Sequence, residues 1–173
     1  MSKIRFIFWT SIEKFLRLLP LPQLRVFFLR LLGSKIDKGA IVHEVVFQNV
    51  YVKGAFSNLV MGENSTIQPG CILDLADQIL INDKVTISQG VIIMTHSDPG
   101  KKMGKPLAEI YPPKHEKVVI GKGVWIGAGA IIYHGITIGE CALVGAGSFA
   151  NKDIPPYSLY AGVPARMIKK IRL

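Results

Sequence analysis

His96, in the run MTHSDPG, is the residue of this chain best suited to moving a proton. An unperturbed imidazole titrates at about 6.5, so a histidine beside a substrate can take a proton and return it. Asp74 and Asp77, in LDLAD, are carboxylates that could orient such a base through its second N–H or bind polar substrate groups. Ser97 and Asp98 stand next to it as weaker helpers. The other histidines lack that context: His115 reads as a solvated loop residue, His134 as a turn residue in YHG, and His43 has no partner in the pattern. Cys71 and Cys141 are two thiols in 173 residues, which does not make a disulfide scaffold, and they read as small interior or turn residues. No Ser/His/Asp arrangement and no GxSxG accompanies these groups.

The elements that must position them follow an unusual period. Ile120, Ile126, Ile132, Ile138, Val144 and Ala150 recur every six residues. Glycine follows the marker at Gly121, Gly127, Gly139 and Gly145, and small or β-branched residues stand four beyond it at Val124, Ala130, Ile136, Ala142 and Ser148. Earlier stretches obey the same rule: Ile36 and Val42; Met61, Ile67 and Leu73; Ile81, Ile87 and Ile93. Neither a helical period nor simple alternation yields six. A unit of one short strand and one turn does, if successive units stack so that their markers line a common interior.

These units resemble the hexapeptide repeats of the left-handed parallel β-helix acyltransferases, and the ending IGECALVGAGSFANKDIPPYSLYAGVPARMIKKI is similar to their sugar O-acetyltransferase branch. The resemblance covers about residues 36–171. It implies a mainly β fold, a left-handed coil of three units, and a homotrimer. The handedness comes from the family alone, since parallel crossovers are otherwise nearly always right-handed.

Given such a coil, breaks in the count mark insertions. Val42 to Met61 is 19 residues, which predicts a one-residue bulge. Leu73 to Ile81 is eight, placing two extra residues in Asp74-Leu75-Ala76-Asp77. Ile93 to Ile120 is 27, which predicts an excursion over residues 99–119, PGKKMGKPLAEIYPPKHEKVV. Long irregular loops in regular scaffolds tend to carry function. The insertion after Leu73, His96 and His134 then fall on one wall, and their convergence predicts a site.

The resemblance also assigns roles. A histidine at the place of His96 deprotonates the acceptor hydroxyl for direct attack on an acyl thioester, with no acyl-enzyme. Relatives place an asparagine and an aspartate near the coil that carries Asp74 and Asp77, which implies that one of these carboxylates binds sugar hydroxyls or orients His96. The donor implied is acetyl-CoA: Trp125 walls the site, Ala128 matches a position whose backbone contacts the pantetheine arm, and Ala146 matches a further CoA contact. Asn151 and Lys152 match further contacts, although relatives often carry Thr-Lys there. Arg166 in GVPAR and Lys169 correspond to basic residues that meet the nucleotide phosphates, where a guanidinium fork suits such oxyanions. Related β-helical carbonic anhydrases hold zinc with three histidines, two of them closely spaced. His96, His115 and His134 are 19 apart each time, so no metal is expected.

Residues 1–35 form a separate amphipathic helical segment ahead of the 36–173 β-helix with its basic tail. Ile4, Phe8, Ile12, Phe15 and Leu19 fall on one helical face; after Pro20 and Pro22, Leu24, Phe27, Phe28, Leu31 and Leu32 continue the pattern until Gly33. This segment reads as a cap packed on the domain. Its Lys3, Arg5, Lys14, Arg17, Arg25 and Arg30 add a second reading, peripheral contact with an anionic membrane through residues 1–32. The net charge of +9 admits anionic partners, but no nucleic-acid recognition motif is present, so no nucleic acid is expected. No cleavable leader or spanning segment is evident, and the expected location is cytoplasmic, with membrane association on the cytoplasmic face open. The expected function is sugar or glycan O-acetylation in surface-polysaccharide biosynthesis. Amino-sugar N-acetylation and a non-catalytic scaffold trimer stay open.

Overall fold

The markers point inward. From Ile36 to Ala150 none of the fourteen is more than 6% exposed, and most are fully buried. The computed structural model describes residues 3–100 and 104–172; residues 1–2, 101–103 and 173, parts of the expected segments, lie outside them. Successive markers hydrogen-bond in parallel register along three walls. One wall stacks Ile36, Met61, Ile81, Ile120 and Ile138. The second stacks Val42, Ile67, Ile87, Ile126, Val144 and Tyr160. The third stacks Phe47, Leu73, Ile93, Ile132 and Ala150. Strands this short cannot bury a face alone, so each coil depends on its neighbours for its core. The glycines after the markers answer a steric need: a Cβ on Gly127 would lie 2.5 Å from the Ala146 nitrogen of the next coil. The basic tail is itself ordered as a strand, Arg166–Lys170, antiparallel to Ser158–Ala161 at the end of the second wall.

Two expected boundaries shift. Val42 stands on the second wall and Met61 on the first, so the interval between them covers two walls rather than a full coil. What counted as a one-residue bulge is therefore a loop after Gln48, ending in a 3-10 turn at Ala55–Asn58. The excursion also starts earlier than residue 99. His96–Ser97 already pairs antiparallel with Lys114–His115, because the Thr95 and His96 amides are drawn to the Asp74 carboxylate rather than to a sheet neighbour. At its far end Val118 and Val119 are back on the first wall beside Ile79 and Leu80.

The chain begins with α1 (Lys3–Leu18) and α2 (Pro22–Leu31), which close the open end of the coil. Trp9 packs on Phe56, and Phe56 on Phe47, so an aromatic stack joins α1 to the first coil. That stack selects a face different from the expected one: Glu13 and Leu16 are buried with Trp9 and Ile12 half-buried, whereas Ile4, Phe8 and Phe15 face outward. On α2, Val26 and Leu29 are buried while Leu24, Phe27 and Leu31 are exposed. Arg25 is buried as well. Its guanidinium donates to the carbonyls of Leu16, Leu19 and Val42, which satisfies orphan acceptors at the end of α1 and ties both helices to the coil.

Candidate active site

Three consecutive coils deliver Asn49, Asp74 and His96 to one corner. Gln48 pairs with Asp74 and Leu73 with Ile93, so on each successive coil the chain leaves the third wall at the same point along the strand direction. Asp74 is 3% exposed and its carboxylate is crowded with donors. Oδ1 accepts from Asn49 Nδ2 at 2.6 Å and from the Ala76 amide at 3.1 Å. Oδ2 accepts from the amides of Thr95 at 2.9 Å and His96 at 3.0 Å, and lies 2.5 Å from His96 Nδ1. Tyr51 Oη donates to Asn49 Oδ1 at 2.7 Å and fixes which way that amide points.

Burial pushes the Asp74 carboxyl up, but the hydrogen bonds from His96, Asn49, Thr95 and Ala76 together outweigh it and hold the group below the usual carboxylate range. An ionised carboxylate only accepts, so His96 Nδ1 carries the proton and the basic lone pair stands on Nε2.

His96 opens onto a pocket of about 730 Å³ between the third wall and the excursion, within the size range of small-molecule sites. Met94 and Tyr133 come from the wall; Leu107, Ile110 and Tyr111 from the excursion, whose short helix α3 spans Leu107–Ile110. His115, exposed as expected, nonetheless stacks on His96 with ring centroids 5.8 Å apart. His134 stands in a turn, as expected, and is buried there. Its Nδ1 lies 2.5 Å from Glu116 Oε2, joining the base of the excursion to the following coil. Among the described residues no group of three or more His, Cys, Asp or Glu side chains could hold a metal ion.

Residues 117–151 match the family described as bacterial transferase hexapeptide (six repeats). A maltose O-acetyltransferase from Clostridium difficile 630 is similar over nearly the whole molecule: 31% identical, TM-score 0.72, covering 99% of this chain and 90% of that one. The chain belongs to the hexapeptide-repeat acyltransferase family. The coil is accordingly the family's left-handed parallel β-helix. A galactoside acetyltransferase in complex with coenzyme A superposes with TM-score 0.82 at 25% identity, covering 99% of this chain and 84% of that one. The galactoside O-acetyltransferase of Escherichia coli (strain K12) is 38% identical over 93 residues, 54% of this chain. The chain spans 44% of the length of that curated relative.

Within this chain the expected site residues separate into two groups. His96 and Asp74 meet, but Asp74 is walled in behind the imidazole with both oxygens engaged, a geometry suited to orienting His96 and not to reaching into the pocket. Asp77 does not line the pocket; its carboxylate accepts from the neighbouring Gln78 amide and its own amide donates to Thr95 Oγ1. Asn151, Lys152 and Arg166 line a second cleft of about 400 Å³ at the end of the coil. Lys169 is exposed on the last strand, outside that cleft. Trp125 stands exposed on the second wall, its indole N–H donating to Ser88 Oγ at 3.0 Å. Ala128 and Ala146 lie near one another at a corner, where the Gly147 amide donates to the Ala128 carbonyl. Asn49, Tyr51 and Glu116 escaped the reading of the sequence. The 19-residue interval between Val42 and Met61 was the one signal that could have led to Asn49 and Tyr51.

Proposed function

We propose that this chain transfers the acetyl group of acetyl-CoA to a hydroxyl of a sugar or glycan, in the assembly of a surface polysaccharide. The His96–Asp74 pair at the wall of the pocket carries the reading. His96 Nε2 takes the proton of the acceptor hydroxyl as its oxygen attacks the thioester carbonyl. Backbone N–H groups hold the tetrahedral oxyanion, and the C–S bond then breaks. CoA leaves as its thiol with the proton returned from His96, so no acyl-enzyme forms. Asp74 keeps Nδ1 protonated throughout and favours the transient imidazolium.

The donor lies along Trp125, Ala128 and Ala146, with Asn151 beside the arm and its phosphates met by Lys152, Arg166 and Lys169. Those groups stand on the second wall and at the end of the coil, away from the third-wall pocket that would take the acceptor. A homotrimer with the cleft between two copies would bring the two halves together. The acceptor class is tested by incubating the purified protein with acetyl-CoA and paired sugars that differ only in hydroxyl against amine. Thiol release with the hydroxyl member supports O-acetylation; release confined to the amine makes the enzyme an N-acetyltransferase. Failure of any acceptor together with failure to bind acetyl-CoA makes the coil a scaffold.

A further inference from the structure

Ten of the twenty large apolar side chains that are exposed among the described residues lie between Ile4 and Leu31. A soluble surface rarely gathers so much apolar area in one place without a use. On α1 they form a stripe. Ile4, Ile7, Phe8, Phe15 and Leu18 recur at helical spacing on the side opposite the packed one, and Leu18 is 82% exposed. On α2, Leu24, Phe27 and Leu31 do the same, and Leu21 stands between the helices. Phe15 meets Phe28 edge to face, so the two stripes are neighbours.

Charge decides what covers this face. From Lys3 to Ile36 the one acidic residue is Glu13, which is buried and accepts a bond from the Phe47 amide. Lys3, Arg5, Lys14, Arg17, Arg30 and Lys35 are all exposed. On a helical wheel Lys3 and Lys14 flank one edge of the α1 stripe and Arg5 the other. An apolar stripe bordered by cations, with no exposed acid along the segment, is complementary to acyl chains beneath anionic headgroups. No described helix is long and apolar enough to cross a membrane, so the contact lies in the plane of the interface.

We infer that α1 and α2 together form a platform that docks this protein on an anionic phospholipid surface. The platform adjoins the catalytic corner: from the other side of α1, Phe6 packs on Tyr51, whose hydroxyl holds Asn49. A lipid surface so placed would lie next to the site, independently of which acceptor is used.

The experiment is co-sedimentation of the full chain with vesicles of phosphatidylcholine alone and of phosphatidylcholine mixed with phosphatidylglycerol. The expected result is binding about tenfold stronger to the mixed vesicles, weakened by salt. Two variants follow, Ile7→Glu with Phe27→Glu, and Lys3→Glu with Lys14→Glu. All four positions are exposed, so thermal melting should match the parent, and both variants should lose the vesicles. The inference is overturned if the parent ignores anionic vesicles or if the variants bind as the parent does. It is equally overturned if the apolar variant instead lowers the oligomeric mass in sedimentation velocity while no vesicle is bound, since the face would then be an interface between copies.

Discussion

His96 Nδ1 lies 2.5 Å from Asp74 Oδ2, and the same oxygen also receives the backbone amide of His96. The carboxylate thus fixes both the ring and the chain that carries it. Two coils of a solenoid, held one strand apart, set this relationship without any long-range folding of a loop.

Replacing Asp74 by Asn tests what that carboxylate does. The amide can still accept, but it no longer favours a charged imidazole and can present a donor to Nδ1 instead. Acetyl transfer should fall about a hundredfold in kcat, with little change in the KM for acetyl-CoA. Steady-state thiol release measures both constants, and a parallel loss of KM would point to damaged packing.

The pH dependence of stability should carry the signature of Asp74. Its folded pKa is depressed, so its contribution is fully present above the unfolded value of about 3.9 and is lost as pH falls through the lower folded value. Asn49→Ala removes one of the bonds that depress it. The parent's advantage over that variant should therefore be constant near neutrality and narrow as pH falls below about 3.9, because the parent, with the more depressed carboxyl, loses more on acidification. Urea titrations between pH 3 and 7 (about the range in which carboxylates titrate) measure this, and parallel curves would remove Asn49 from the account.

Gly127→Ala should destabilise the coil by more than about 2 kcal/mol, because its Cβ meets backbone that cannot yield. Gly129→Ala is the contrast: its φ is +67° but nothing lies within 4 Å of the added carbon. That change should cost only about 1–2 kcal/mol of left-handed backbone strain. Equilibrium denaturation of the two variants ranks them.

The stacked repeat was legible because neither a helix nor simple alternation yields six-residue spacing, which the markers from Ile120 to Ala150 keep without a break; the three-unit left-handed coil was legible only through the family resemblance. His96 was legible because it borders the longest interruption of that rhythm. Asn49 was hidden for a physical reason. A loop that inserts within a coil preserves no spacing, and the 19 residues from Val42 to Met61 happen to imitate a full turn plus one. The outward stripe of α1 was hidden differently, since periodicity finds an apolar face without saying what it meets. Only the Trp9–Phe56–Phe47 stack assigns the inner side to Trp9 and Leu16. The partnership of Glu116 with His134 needed the excursion's return path, which no count along the chain supplies.

The most direct measurement is acetyl transfer by His96→Ala, followed as thiol release from acetyl-CoA with an accepted sugar. The substitution removes the base but leaves Asp74 buried under the amides of Thr95 and residue 96. A fall of about a thousandfold or more in kcat, with acetyl-CoA binding retained by calorimetry, is the predicted result. An alanine variant as active as the parent would contradict general-base catalysis at this corner.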